Sequence, residues 1–372
     1  MIGPECTIVP VLKADAYGLG LEHVADVMAE SGIRILIVGS VFDGIDLRKR
    51  GLTIPIVILG SYIPGDVADK LWEYDLVPTI WDLNGATSLS QCPGKKRGAK
   101  LKIFVKVDTG MHRLGVDQQE AVETIQQIRR LDNIEIEGIY THFSDALSDD
   151  QTFTQTQIDS FRSILNNLEN AGLRVKYKIA AATPGLLMRP DSYMTGVDPA
   201  RAVYGILPPG RMVVDLDLRP ALRAIKTRII QVRWISEGEG VGYRRLFRAA
   251  RRTLIGVLPL GWGDGMPHSE GHNFHVLVRG KEAPIIGAAS LEHCVIDLTD
   301  IPDARPGDEV VVVGSQGSSR IGPDDVLKQW GTNNRTEVVA RFKKEVTRIY
   351  YRGGSVIGYR TALGATMPRK ST

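Results

Sequence analysis

From residue 7 to about residue 206, short runs of β-branched and aliphatic residues alternate with longer amphipathic segments. The apolar runs cover residues 7–12, 33–38, 54–59, 77–81, 101–107, 134–141, 175–181 and 200–206. Between them lie helical patterns. The clearest spans residues 155–171, with Ile158, Phe161, Ile164, Leu165 and Leu168 on one face and Gly172 as the stop signal. Eight strands that alternate with helices predict a closed parallel barrel. After about residue 218 the alternation ends. Extended segments at 227–235, 252–258, 275–278, 295–298, 309–313 and 345–351 follow, separated by Gly/Pro/Asp turns, with one short helix at 324–330. The pattern predicts an α/β chain: a (β/α)8 TIM-type barrel over residues 1–218, then a mainly-β C-terminal domain over 219–372. No internal repeat or low-complexity tract interrupts it, and residues 367–372 read as a frayed basic tail.

Composition narrows the function classes. Apolar residues make up 43% and charged residues 24% of the 372, which leaves ample material for a large core and argues against disorder. The net charge is only +3, and basic residues cluster only briefly, at Lys95, Lys96 and Arg97 and at Arg244, Arg245 and Arg248, so nucleic acid is not an expected partner. Cys6, Cys92 and Cys294 have neither disulfide-framework nor metal-ligand spacing, so no metal is expected and a reducing cytoplasm fits best. No apolar run approaches the roughly 18 residues of a membrane span, and the N-terminus has no basic segment followed by a hydrophobic stretch. A soluble, unprocessed protein with no membrane partner is the expectation.

The chemistry-bearing residues sit where strands run out. Lys13 ends the first run and precedes Ala-Asp-Ala-Tyr-Gly-Leu-Gly. A lysine turned into a barrel mouth loses solvation, which lowers its pKa and frees a neutral amine for imine formation; taken alone, such a lysine is more often solvated. Tyr17 and the following glycines let a hydroxyl and backbone approach a phosphate. At the end of the fifth run, Lys106-Val-Asp-Thr-Gly-Met-His-Arg-Leu-Gly115 presents Arg113, whose planar fork suits a carboxylate or phenolate; the alternative is a glycine turn with an ordinary salt bridge. His142, after the sixth run, is either a proton relay or a buried, hydrogen-bonded histidine. In the second domain, the segment from Glu237 to Arg245 reads as a turn carrying an exposed Tyr243. Gly261-Trp-Gly-Asp-Gly265 is turn-rich but lacks the setting of a nucleotide fingerprint.

Taken together and in order, these segments resemble the alanine racemase family. Val11 to Gly20 resembles its cofactor-lysine motif, Lys106 to Gly115 its Lys-Val-Asp-Thr-Gly-Met-x-Arg-Leu-Gly motif, and Val241-Gly-Tyr243 the segment bearing its catalytic tyrosine. Tyr140-Thr-His-Phe143, Val203-Tyr-Gly205 and Val295 to Asp300 match in order too, so the likeness covers nearly the whole chain. It implies a pyridoxal 5′-phosphate enzyme that racemises alanine or a similar small or polar amino acid. It also implies a head-to-tail homodimer with shared sites. Lys13 would carry the cofactor as a Schiff base and serve one face of Cα, and Tyr243 from the partner chain would serve the other. Arg113 and His142 would assist catalysis. Arg113 would steady the cofactor phenolate and substrate carboxylate, and Lys106, carbamylated, would orient Arg113. Tyr17 and Thr183 would contact the phosphate, with Ala200, Arg201, Tyr204 and Lys344 completing the cofactor contacts and Leu291 and Glu292 the substrate contacts.

Several positions depart from the family pattern. The family sets an arginine against the pyridine nitrogen six residues before the tyrosine of its Tyr-Gly pair; gap-free counting puts Asp198 there, and a slip of three residues puts Arg201 there. An aspartate would protonate that nitrogen, whereas arginine leaves it neutral. The substrate segment reads Gly287-Ala-Ala-Ser-Leu-Glu-His293, the tyrosine near the C-terminus is replaced by Lys344, and the Asn-Ser pair before the phosphate contact is Ala182-Thr183. Set against the family pattern, the sequence is expected to start about two dozen residues in, without the helix that normally precedes the first strand. These departures keep open another reaction at Cα, whether retro-aldol cleavage, elimination or decarboxylation, and a non-catalytic cofactor binder.

Overall fold

Aliphatic runs too short for helices and rich in Val and Ile form the parallel strands of the first unit: β1 (Thr7–Ile8), β2 (Leu36–Val38), β3 (Ile56–Ile58), β4 (Leu76–Ile80), β5 (Leu101–Asp108), β7 (Ile134–Tyr140), β8 (Tyr177–Ala182) and β9 (Gly196–Asp198). A two-residue β6 (Val116–Asp117) pairs with β5 outside the main order. The computed structural model describes residues 2–60, 65–92, 98–208, 212–214, 216–268 and 274–366. Lys95, Lys96, Arg97 and the tail at 367–372 lie outside them. The chain divides into two compact units, one of Met1–Ala16 and Gly20–Arg219, the other of Tyr17–Leu19 and Pro220–Thr372.

In the first unit the strand order is β1-β9-β8-β7-β5-β4-β3-β2. Val11 makes a parallel bridge to Ile37, with Leu12 N–H donating to Ile37 O (2.7 Å) and Ile37 N–H to Pro10 O (2.9 Å), so the chain after β1 meets β2 and the ring closes. Inward residues of alternate register fill it: Val9, Val11, Ile37, Val57, Phe104, Tyr140, Tyr177 and Ile179 belong to one buried cluster. Phe104 stacks on Tyr177 with ring centroids 5.6 Å apart, and Gly138 makes room for it, since a Cβ there would lie 2.4 Å from Phe104 Cε1. Outer helices begin where short polar side chains cap them. Ser40 accepts from Asp43 N–H (3.1 Å) to start Val41–Lys49, and Asp82 accepts from Gly85 N–H (2.6 Å) to start Leu83–Ser90. The long helix Thr152–Asn170 buries Ile158, Phe161, Ile164, Leu165 and Leu168, and left-handed Gly172 follows it.

The eighth strand differs from expectation. The apolar run at 200–206 is not a strand; the strand is Gly196–Asp198, and Arg201–Tyr204 forms a 3-10 turn. Pro199 has no N–H to donate, and the Ala200 and Ala202 amides both go to Thr183 Oγ1 (3.1 Å each), so three of the first four residues after β9 offer no donor to a ladder. The change moves Asp198 to the last residue of a barrel strand.

The second unit is mainly antiparallel. Its large sheet joins β10 (Ile225–Arg228), β11 (Gln231–Ile235), β14 (Thr253–Leu258), β15 (His275–Val278), β16 (Lys281–Ile286), β17 (Cys294–Asp297), β18 (Glu309–Gln316) and β19 (Ser319–Ile321), with a separate β12 (Gly240–Val241) and β13 (Phe247–Arg248) hairpin. The segment expected as one strand at 227–235 is two. β16, whose residues alternate poorly with Pro284 in their midst, was not anticipated. The short helix appears as Pro323–Trp330, a second helix at Arg335–Ala340 follows, and β20 (Arg348–Arg352), β21 (Ser355–Thr361) and β22 (Gly364–Thr366) form a terminal sheet.

Candidate active site

The C-terminal ends of the barrel strands carry the polar groups, as barrel geometry favours. Lys13 follows β1 and opens a turn in which Ala14, Asp15, Ala16 and Tyr17 are all left-handed (φ 52°, 58°, 52° and 56°). Such backbone costs roughly 1–2 kcal/mol per residue. It is held by Ala16 N–H to Leu12 O (3.1 Å), Gly20 N–H to Asp15 O (2.9 Å), and Asp15 Oδ1, which accepts from Leu21 N–H (3.0 Å) at the start of the next helix. Gly39, just past β2, admits the lysine: a Cβ there would lie 3.3 Å from Lys13 Cβ. Burial pulls the Lys13 amine below its ordinary pKa, the Arg113 cation adds to this, and Asp198 opposes it. Tyr17 is buried and begins the short segment grouped with the second unit, where Arg348 Nε donates to Gly18 O (3.0 Å) and the Tyr350 hydroxyl to Leu19 O (2.9 Å).

At the end of β5, Asp108 organises the loop. Its Oδ1 accepts from the amides of Gly110 (2.9 Å), Met111 (2.8 Å) and His112 (3.1 Å), and Oδ2 from Arg113 (3.2 Å). Burial works against the charge, but these backbone donors prevail and hold the carboxyl below its usual range. The loop thereby fixes the backbone from which Arg113 projects. Lys106, two residues before Asp108, is 5% exposed and sits 5.8 Å over the Tyr140 ring. Burial lowers its pKa to about 8, with Arg113 and Lys13 pushing the same way and Asp108 and Asp198 opposing.

His142 follows β7. Burial, then the charges of Arg113, Lys106 and Lys13, lower its pKa to about 4, so the ring is neutral at pH 7. Thr183 follows β8 and spends its hydroxyl oxygen on the amides of Ala200 and Ala202, tying β8 to the loop after β9. Tyr204 is buried with its hydroxyl donating to Val11 O (2.9 Å), two residues before Lys13. Arg201 is half-buried on the same turn. Asp198, 5% exposed, ends β9 in register with Ala182, next to a ladder irregularity between Ile179 and Ala181. Its Oδ1 is buried with no hydrogen-bond partner. Burial raises its pKa to about 7, against a hydrogen bond from its own backbone amide and the pull of Lys13 and Lys106. Lys13, Lys106, Arg113, His142 and Asp198 thus form one electrostatically coupled group.

One residue escaped the sequence reading. Gln157, fully buried on the long helix, accepts from Ser144 N–H (3.1 Å) and donates to Thr109 Oγ1 and His142 O (3.4 Å each). The signal was available: Gln157 falls on the apolar stripe of Phe161, Ile164 and Leu168, where a polar residue needs an internal partner.

The second unit carries the rest. Tyr243 is 69% exposed, on a turn where Gly242, Arg244 and Arg245 all have positive φ (69°, 59° and 50°). A Cβ on Gly287 would lie 2.8 Å from Val241 O, so glycine there lets the tyrosine-bearing segment seat closely. Leu291 and Glu292 are exposed, and Lys344 is exposed with its carbonyl accepting from Arg348 Nη1 (2.9 Å). Gly261–Gly265 acts as a support: Trp262 N–H donates to Ser290 O (3.1 Å) and Gly263 N–H to Leu291 O (2.8 Å). A Cβ on Gly261 would lie 2.3 Å from both carbonyl oxygens. No group of three or more His, Cys, Asp or Glu suited to a metal occurs among the described residues, and none of their helices is long and apolar enough to cross a membrane.

Comparison with known proteins agrees with this arrangement. The model of the alanine racemase N-terminal domain matches residues 1–208 and that of the C-terminal domain residues 222–350. The alanine racemase of Halothermothrix orenii is 36% identical over 350 residues, covering 94% of this chain and 91% of the relative. That of Methanococcus maripaludis is 34% identical over 349 residues (93% and 92%). Among solved structures, alanine racemase of Clostridium difficile 630 superposes with a TM-score of 0.89 at 27% identity, covering 97% of this chain and 93% of that one. The Bacillus anthracis alanine racemase solved with bound L-Ala-P gives 0.87 at 26% identity (97% and 92%). The chain belongs to the alanine racemase family, and is a pyridoxal 5′-phosphate-dependent amino-acid racemase.

Proposed function

We propose that the chain interconverts the enantiomers of alanine, or of a similarly small amino acid, by a two-base mechanism in which Lys13 and Tyr243 serve opposite faces of Cα. The residues present fit the cofactor. Lys13 supplies an amine of lowered basicity for a Schiff base, Arg113 a cation for the phenolate oxygen, and Asp198 a buried carboxyl with an unfilled oxygen. Tyr17 and the Thr183 hydroxyl, whose oxygen accepts from Ala200 and Ala202 and whose hydrogen is not spent in those bonds, supply groups for the phosphate, with Ala200, Arg201, Tyr204 and Lys344 as further contacts of the bound group. Once bound, pyridoxal phosphate delocalises the electron pair left at Cα when the α-proton departs.

The protein's own work is then positional. Lys13 Nζ takes or returns the α-proton on one face, which needs a neutral amine, and burial beside Arg113 favours that form. The neutral His142 ring adds no further cation beside it. The Arg113 guanidinium orients the substrate carboxylate, and Leu291 and Glu292 are the further substrate contacts of this reading. Tyr243 serves the opposite face from the partner chain of a homodimer, and its 69% exposure on the isolated chain supports that reading. Cys6, Cys92 and Cys294 are not joined in disulfides, which suits a cytoplasmic setting.

The observation that carries this reading is the placement of Lys13, Arg113 and the buried Asp198 at the C-terminal ends of the barrel strands, where burial lowers the basicity of the lysine. Mixing Lys13→Ala with Tyr243→Phe chains is the test. Heterodimers of confirmed composition should regain part of the wild-type racemisation rate, because one of their two sites holds both bases. No recovery would place both bases on one chain.

A further inference from the structure

We infer that Asp198 holds the ring nitrogen of the cofactor through its unpartnered Oδ1 and keeps that nitrogen protonated. This deepens the proposed function and rests on Lys13 as the cofactor lysine. Asp198 is 5% exposed, and its Oδ1 has no hydrogen-bond partner, a condition that calls for an explanation such as a bound ligand, ion or water. None of the ion pairs among the described residues involves it, although Lys13 and Lys106 are close enough to act on its charge. The carboxyl ends β9, which pairs directly with β1, the strand that leads to Lys13. The two residues therefore stand on adjoining strand ends of one barrel.

The chemistry of pyridoxal phosphate selects the contact. Its phosphate and phenolate oxygens are anionic acceptors, which a carboxylate repels. The imine N–H formed with a lysine faces the cofactor's own phenolate, which accepts it. The ring nitrogen, para to the imine-bearing carbon, is the remaining polar atom, and only when protonated does it donate. A cationic N–H there satisfies Oδ1. It also supplies the counter-charge that burial withholds from a carboxyl whose pKa stands at about 7. The backbone allows little escape: Asp198 is fixed by parallel pairing to β8 on one side and precedes Pro199, so its orientation is set by the barrel.

The test uses the reconstituted protein with cofactor labelled with 15N in the ring, and a cofactor analogue with carbon in place of that nitrogen. In wild type, the 15N resonance should sit at the protonated position throughout pH 6–9, and in Asp198→Asn it should move to the unprotonated position. Wild type should bind the natural cofactor about 10- to 100-fold more tightly than the carbon analogue, the range of a charge-assisted hydrogen bond. Asp198→Asn should reduce that preference to a few-fold, and Asp198→Glu should restore part of it. An unprotonated nitrogen in wild type, or equal affinity for both cofactors, would overturn the inference. The analogue comparison on wild type needs no variant, so misfolding of a substitution cannot mask the result. Borohydride reduction with peptide mapping separates this from the parent reading. A label on Lys13 with an unprotonated nitrogen rejects the role of Asp198 alone, whereas a label elsewhere rejects Lys13.

Discussion

Lys106 should react with carbon dioxide to form a carbamate, and the structure gives the size of the advantage. Its pKa of about 8 leaves about half of the amine neutral at pH 8, against about 0.4% for a lysine near 10.4, so the reactive form is enriched about 100-fold. The product changes the local charge from positive to negative, converting repulsion of Arg113 into attraction; the amine nitrogen bonds the carbon of CO2 and releases one proton. In 13C-bicarbonate at pH 8, a carbamate resonance should appear in wild type and vanish in Lys106→Met and Lys106→Arg. At fixed dissolved CO2 it should weaken steeply below pH 8, as protonation removes the nucleophile. Arg113→Met should weaken it too, because loss of that cation raises the Lys106 pKa and removes the carbamate's partner. A wild-type spectrum without the signal, or a signal that survives Lys106→Arg, would refute the reasoning.

The burial of Asp198 has a second consequence, in stability. In the cofactor-free protein the folded carboxyl retains its proton up to about pH 7, whereas the unfolded one loses it near 3.9. Wild type should therefore lose up to about 4 kcal/mol as pH rises through that window, with no further loss from this group above it. Urea titrations of wild type and Asp198→Asn should diverge in favour of the variant between pH 4 and 7; parallel curves would contradict the burial. In the barrel interior, Gly138→Ala should cost about 1–3 kcal/mol by driving a methyl into Phe104, and Phe104→Leu in the same chain should recover part of that. Strict additivity in the double-mutant cycle would show that the two do not compete for space.

The alternation of apolar runs with amphipathic helices made the barrel legible, because parallel strands buried on both faces are written as unbroken Val/Ile/Leu runs. The miss at 200–206 has a local cause. Ala202, Val203, Tyr204 and Ile206 form an apolar run typical of a strand, and only tertiary wiring, with Thr183 capturing the Ala200 and Ala202 amides, turns it into a 3-10 turn. Residues 14–17 carry no hint of left-handed backbone in their side chains, since Ala-Asp-Ala-Tyr is ordinary helical material. That conformation is held by the bond from Leu21 N–H to Asp15 and by the backbone bonds from Ala16 to Leu12 and Gly20 to Asp15, none of them visible before folding.

At the site, each residue alone had a bland reading, and what the fold adds is mutual dependence. Burial comes first, but the Arg113 cation lowers the basicity of Lys13, Lys106 and His142 as well, Lys13 and Lys106 act on His142, and Lys13 acts on Lys106. Asp198 opposes them from within the same ring of strand ends. Three basic groups, Lys13, Lys106 and Arg113, meet the two carboxyls of Asp108 and Asp198 at the mouth, a setting suited to an anionic phosphate and phenolate and to a substrate carboxylate. Such coupling forbids a residue-by-residue partition of the chemistry. Removing Arg113 takes away a contact and also raises the pKa of both lysines, so its effect will exceed what any one contact supplies. For the same reason Asp198 stands at the centre of the design. As the carboxyl that offsets Lys13 and Lys106, it helps set the amine basicity on which proton transfer by Lys13 depends, whatever else it holds.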